Sequence, residues 1–209
     1  GHATVSWFCE HANPLVKVSI VPRGRALGAA WYLPEERQIT TKEQMLDEMC
    51  ATLGGRAAED LFLNRISTGA MNDLERVTKQ AYGMIAYLGM SDKLPNLCYY
   101  NNEEYSFNRP YSEKTAELID TEVKNMVNEQ YERAKKILSE HREGHNQLAQ
   151  LLIDKEVIFA EDVERIFGKR PWASRSEEIM AAKESQDAAR AERELAEKLK
   201  AEEQEIKEE

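Results

Sequence analysis

Apolar and polar positions alternate in two different rhythms along this chain, and the change of rhythm divides it. Residues 3–12 (ATVSWFCEHA) carry a helical pattern that stops at Asn13-Pro14, where proline cannot continue a helix. The next stretch, VKVSIVPRG (16–24), alternates and is rich in β-branched residues, which predicts a strand ending in a turn. LGAAWYLP (27–34) predicts a second strand, closed by Pro34, and these two are the only strands the pattern predicts. Every later periodic segment is helical. Thr41 with Gln44 forms a capping-box pattern that opens a helix through MLDEMCATL; Gly54-Gly55 is expected to interrupt it before RAAEDLFL. Residues 67–89 read as a small-residue loop, a helix starting at Asn72/Asp73, and a stop at Gly89. The segment 95–112 has no period and is expected to be a loop, mobile at Asn101–Glu104. Residues 112–141 form a long amphipathic helix, with apolar positions at Ala116, Ile119, Val123, Met126, Val127, Tyr131, Ala134 and Leu138. Shorter helices near 145–153 and 160–167 finish at Gly168.

Past Pro171 the composition shifts to Glu, Ala, Lys and Arg, with no seam strong enough to specify a coiled coil. The domain expectation is therefore one body over 1–170 and an acidic tail over 171–209, helical or disordered. The net charge of −10 follows the same division, since residues 176–209 hold twelve acidic and six basic side chains. No clustered basic face remains to bind nucleic acid. Cys9, Cys50 and Cys98 are odd in number and set among apolar neighbours, the pattern of buried free thiols in a reducing compartment. No apolar run approaches the roughly eighteen residues a membrane span needs. The chain opens on GHATVSWF without Met or a signal-like region, so a processed chain or a piece of a longer protein is expected.

Among four histidines, His141 and His145 draw attention first, because HREGH resembles the zinc-protease signature H-E-x-x-H. In that signature the histidines lie about 40° apart on a helix and the glutamate sits beside them. Here Glu143 falls roughly 200° round from His141, and Arg142 takes the place of the base. The stretch reads as structural rather than catalytic; a stand-alone zinc site there would predict affinity that His141→Ala removes. His11 reads as a cationic cap at the end of the first helix. Taken alone, Asp73 is a helix-start residue, Glu59 a solvated helix charge, and His2 a frayed terminal residue.

Their joint arrangement says more. GHATV, KVSIVPRGRALGAAWYLP, GGRAAEDL and STGAMNDLERVT occur in order. Together they resemble the peptidase domain of FtsH-type, membrane-anchored AAA zinc metalloproteases, over Gly1 to about Gly168. The family's zinc helix reads H-E-A-G-H-A, and Gly1-His2-Ala3 match its last three letters. The resemblance implies that His2 is the second histidine ligand and that Asp73, in T-G-A-x-N-D-L, is the third ligand. It implies that Glu59 is a carboxylate holding a ligand imidazole; the following family Glu is Asp60 here. The first histidine and the general-base Glu would precede Gly1, so no catalytic residue lies within this chain, and it is expected to be inactive alone. Leu27, Gly28, Ala29, Ala30 and Trp31 would form an edge strand that binds extended substrate.

The implied fold is a mainly α, multi-helix metallopeptidase domain with two short strands near the N-terminus. The implied function is ATP-dependent, processive proteolysis of unfolded or membrane proteins by zinc-activated water. The cofactor is Zn2+, with ATP and Mg2+ on an ATPase domain outside this chain, which has no G-x-x-x-x-G-K-[ST] loop. Implied partners are unfolded polypeptides, five further copies in a homo-hexamer, and upstream ATPase and transmembrane segments. These would hold the otherwise soluble domain at the cytoplasmic face of the inner membrane. The alternative is a non-catalytic helical hexamerisation module, a pseudoprotease.

Overall fold

The computed structural model describes residues 1–24, 26–34, 39–99, 109–173 and 177–190. The chain divides into two compact units, residues 1–171 and 172–209. In the second, residues 177–190 form an exposed helix; residues 191–209 of the tail and the segment Asn101–Glu104 lie outside the described residues.

The first unit is mainly helical with a small antiparallel sheet, as the pattern predicts. Helix α1 (His2–Trp7) is short, and Ala3 through Trp7 are all buried. It stops at Phe8 rather than running on to residue 12, so the chain reaches Pro14 through turns. Strands β1 (Leu15–Ser19) and β2 (Ala29–Tyr32) then pair antiparallel, Ser19 opposite Ala29 and Lys17 opposite Trp31, with a bulge between Leu15 and Lys17. Helix α2 (Lys42–Ala58) opens on the predicted capping box: the Thr41 amide donates to Gln44 Oε1 at 2.9 Å and the Gln44 amide to Thr41 Oγ at 3.3 Å.

Contrary to the sequence expectation, Gly54-Gly55 does not interrupt α2. Glycine lowers helix propensity, but tertiary packing decides here. A Cβ on Gly54 would lie 2.9 Å from the Gly1 carbonyl oxygen and 3.1 Å from Val5 Cβ, so the missing side chain lets α1 lie directly on α2. The helix instead widens one turn later into a π-helical segment, Glu59–Leu63, ending at Asn64 in the left-handed conformation.

A 3-10 turn (Thr68–Ala70) leads into α3 (Met71–Ala86), which starts slightly before Asn72/Asp73. Helix α4 (Glu113–Glu140) is capped by Ser112, whose Oγ accepts from the Thr115 amide. It meets α5 (Arg142–Lys155) at His141. A third strand, β3 (Val157–Phe159), joins β1 on the side opposite β2, giving the order β2-β1-β3. The sequence pattern does not announce it: three apolar residues between helices are too short to show an alternation. Helix α6 (Ala160–Phe167) follows, ending at Gly168.

Among the described residues four core clusters join these elements, one of them, Ile85, Ala86, Leu94 and Ile119, binding α3 to α4. Val5, Cys9, Cys50, Ala57, Ala134 and Leu138 bind α1 to α2 and α4. Trp7, Leu15, Leu148, Ile158 and Val163 bind α1 to the sheet, α5 and α6. Met49, Leu53, Val77, Ala81 and Met84 bind α2 to α3. Cys9 and Cys50 are buried as expected, but Cys98 is exposed.

HREGH proves to be a packing motif. His141 stacks on Phe8 with ring centroids 3.5 Å apart, and His145 stacks on Phe62 at 4.1 Å. Phe167 fills the space a side chain at Gly144 would need. With His141 at the α4–α5 junction, the two histidines do not even share a continuous helix.

Candidate metal centre

Short helix α1 carries His2 on its first turn, and α2 runs across it close enough for direct contact. His2 Nδ1 lies 3.1 Å from the Ala51 carbonyl oxygen, so Nδ1 carries the hydrogen and Nε2 offers its lone pair outward. A backbone acceptor of this kind is how a ligating imidazole is usually held in tautomer and orientation. Asp73, in the first turn of α3, faces that nitrogen: His2 Nε2 and Asp73 Oδ2 are 3.5 Å apart. Both side chains keep about a third of their surface exposed, at 39% and 33%.

The separation is long for a hydrogen bond. It matches two ligands on one small ion, because donors about 2.0–2.1 Å from a tetrahedral zinc stand about 3.4 Å apart. The donor types suit zinc, and the residues present therefore fit it. They supply two donors where three are needed, and no group of three or more His, Cys, Asp or Glu that could hold a metal occurs among the described residues.

Glu59 stands at the start of the π-helical segment and does not reach His2. Its carboxylate accepts from both the amide and the hydroxyl of Ser67, and Arg56 Nε lies 4.0 Å away. These hydrogen bonds, the Ser67 hydroxyl first, hold the Glu59 carboxyl below the usual carboxylate range. Arg56 Nη2 also donates to the Ser67 carbonyl at 2.9 Å, and Ser67 Oγ caps the 3-10 turn at Gly69. Glu59 and Arg56 thus fix the three-residue turn that delivers Asp73, while the imidazole is oriented by the Ala51 carbonyl. Asp60 is occupied elsewhere, by Tyr131 Oη at 2.9 Å and Lys135 Nζ at 3.0 Å.

A cleft of about 570 Å³ opens over the His2–Asp73 pair, lined on one side by Gly28, Ala29, Ala30 and Tyr32. Strand β2 is the outer strand of the sheet on this side. The other two residues of the predicted substrate strand lie off the cleft: Leu27 is 83% exposed, and Trp31 is covered by Lys17, whose Nζ sits 4.8 Å from the ring centre. The far wall carries Glu48 and Arg76, which form an ion pair.

His11 corrects a sequence expectation. It lies beyond the end of α1 and does not cap it; its amide donates to Asp47 Oδ2 at 2.8 Å and its side chain lines the cleft. Arg170 Nη2 grips the same turn by donating to the carbonyls of Cys9, Glu10 and Ala12. Ala51, Ser67 and the His11 turn were invisible to sequence reasoning, because a backbone carbonyl or a loop amide leaves no signature in residue type.

The model of peptidase family M41 matches residues 1–166. The chain is 72% identical over 186 residues to the ATP-dependent zinc metalloprotease FtsH of Parabacteroides distasonis, covering 88% of this chain and 27% of that protein. It is 49% identical over 175 residues to the mitochondrial ATP-dependent zinc metalloprotease FTSH 10 of Arabidopsis thaliana, covering 83% and 21%. It is also 44% identical over 178 residues to AFG3L2, a mitochondrial inner membrane m-AAA protease component of Mus musculus, covering 84% and 22%. The chain spans about a quarter of the length of these relatives. Extended across the paired histidine and aspartate and the strand beside them, these matches make this chain a member of peptidase family M41, the FtsH-type peptidase domain.

Proposed function

We propose that this chain is the proteolytic domain of an ATP-dependent zinc endopeptidase and that His2 and Asp73 are two of its zinc ligands. The single observation that carries the reading is the 3.5 Å approach of Nε2 to Oδ2, with Nδ1 already committed to the Ala51 carbonyl. Bound zinc supplies Lewis acidity, which brings the pKa of a water toward neutrality and polarises a peptide carbonyl. The remaining work falls to the protein. The Ala51 carbonyl fixes the imidazole's orientation and aims Nε2, and Glu59 with Arg56 holds the turn before Asp73, so neither ligand must reorganise.

Substrate enters as an extended segment beside β2, within Leu27–Trp31. Main-chain donors and acceptors on that free edge add it as a further strand, giving affinity with little dependence on side-chain identity. This suits degradation of unfolded polypeptides. The parent is a homo-hexamer whose upstream ATPase, using ATP and Mg2+, feeds the cleft, and whose N-terminal segments anchor it at the cytoplasmic face of a membrane. No described helix of this chain is long and apolar enough to cross a membrane.

The family motif puts the first histidine and the base Glu ahead of Gly1, so the 209-residue chain alone binds zinc weakly and turns over nothing. Adding His-Glu-Ala before Gly1 creates chelator-sensitive casein cleavage that Asp73→Ala abolishes. Wild-type turnover in the Asp73 variant would remove it from the ligand set. Chelator-sensitive turnover by the unextended chain would refute the incomplete-site reading, and inactivity of the extended chain would favour a non-catalytic assembly module.

A further inference from the structure

The two consecutive glycines of α2 do different jobs. Gly54 faces backbone, the Gly1 carbonyl and Val5 Cβ, and sets how near the helices come. The three atoms nearest a side chain at Gly55 all belong to the His2 ring. A Cβ built there would fall inside the contact distance of His2 Nε2, 2.9 Å from Cε1 and 3.1 Å from Cδ2. From this we infer that Gly55 is a positioning residue for His2: its bare Cα is the seat on which the imidazole rests. The inference rests on the reading of His2 as a zinc ligand, and it assigns to Gly55 the task of holding Nε2 where Asp73 can share an ion with it.

The helix geometry explains the seat. Ala51 and Gly55 are one turn apart on the same face of α2, and helical Cα–Cβ bonds tilt toward the N-terminus. A side chain at position 55 therefore points back toward the Ala51 carbonyl, into the space the ring occupies between them. The ring cannot step aside without loss, because Nδ1 is held by that carbonyl at 3.1 Å and Nε2 faces Asp73 at 3.5 Å. Clearing a methyl group to an ordinary contact of about 3.5–4.0 Å moves the ring by on the order of 1 Å. Metal and catalytic geometry tolerates only about 0.5 Å. The substitution is otherwise favourable, since alanine suits a helix interior better than glycine, so the effect on the ring separates from the effect on the helix.

The test uses Gly55→Ala, with Gly83→Ala as control, since a Cβ on Gly83 meets nothing within 4 Å. In the 209-residue chain at pH 8, imidazole 15N spectra should show His2 as the Nδ1–H tautomer. Gly55→Ala should mix the tautomers, and Gly83→Ala should leave them alone. In urea melts, Gly55→Ala should lower the midpoint of wild type but not of His2→Ala, where the methyl occupies vacated space. Should Gly55→Ala fail to fold, rescue by His2→Ala supports the inference, and failure of both variants to fold overturns it.

In the chain extended by His-Glu-Ala, zinc affinity should fall about 10- to 100-fold in Gly55→Ala, the range for loss of an outer-shell support. An unchanged tautomer and unchanged zinc affinity would overturn the inference. If the extended wild type binds no zinc, the zinc reading fails, and the tautomer and urea comparisons still decide whether Gly55 seats His2.

Discussion

Asp47 is 4% exposed and holds two partners: the His11 amide at 2.8 Å, and the guanidinium of Arg133, whose side chain is 39% exposed. Replacing it with alanine leaves the His11 amide without this acceptor and Arg133 with Gln130 Oε1, at 3.3 Å. A hydrogen bond to a charged acceptor contributes about 1.5–3 kcal/mol, and breaking a buried ion pair costs about 3–5 kcal/mol when the survivor stays dry. Arg133 keeps a path to solvent, so its share is small, and Asp47→Ala should cost about 3 kcal/mol in all. At this chain length that is a fall of roughly 6–12 °C in Tm. Asp47→Asn keeps an acceptor for the His11 amide while losing the charge, and should cost about 1 kcal/mol. Urea and thermal denaturation followed by far-UV circular dichroism measure both variants. Equal losses in the two, or a loss below about 1 kcal/mol in the alanine variant, would refute the claim that this carboxylate anchors the turn after α1.

Native alkylation with iodoacetamide should label Cys98 and spare Cys9 and Cys50, as read by mass spectrometry. The hydrogen bond that the Cys9 thiol donates to Cys50, with burial, pushes the Cys9 thiol up and keeps it a poor nucleophile; rapid labelling of Cys9 would contradict its packing. Burial lowers the His145 pKa from 6.5 to about 4, so well above pH 6.5 its ionisation has no effect on stability. Between pH 6.5 and 4 the unfolded chain takes up a proton the folded one resists, and stability falls by about 2 kcal/mol, discounted for its half-buried position. His145→Phe should flatten that part of the Tm-against-pH curve, and an unchanged curve would count against the buried neutral imidazole. Glu59→Gln should weaken zinc binding in the extended chain about 10- to 100-fold while leaving circular dichroism unchanged, since it loosens the Ser67 clamp ahead of Asp73. Undiminished affinity would show that the turn needs no such support.

Local signals made most of the helices legible. The Thr41–Gln44 box, the period of residues 112–141 and the stop at Gly168 each depend on neighbours within a turn or two, and each marks an observed boundary to within a residue. The errors arose where distant segments decide. Gly54-Gly55 reads as a break by propensity and is continuous because α1 packs on it. Strand β3 exists because β1 has a second edge to fill. The site divides the same way. Spacing alone leaves His2 and Asp73 as a terminal residue and a helix-start residue; only the combined motifs pointed to a pair, and their approach depends on how α1, α2 and α3 pack. Glu59, which the resemblance pairs with a ligand imidazole, holds Ser67 in this structure, a partner that follows from the π-helical turn and leaves no signature in the chain.

The sheet order has a consequence for how the domain is made. Strand β1 is central, yet its second neighbour comes from residues 157–159, and the Ile20 amide reaches the Glu156 carbonyl at 2.9 Å. Arg170 closes the turn after α1 across 158–161 positions of sequence. At about 5–20 residues per second, a ribosome delivers β3 roughly 7–30 s after β1. During that interval β1 and β2 form at most a two-stranded ribbon, marginal by itself, with Val16 and Val18 on an open edge. The sheet beside the cleft is therefore completed late in folding, when β3 arrives, and a ribosome stalled before residue 157 leaves a nascent chain prone to edge-to-edge aggregation.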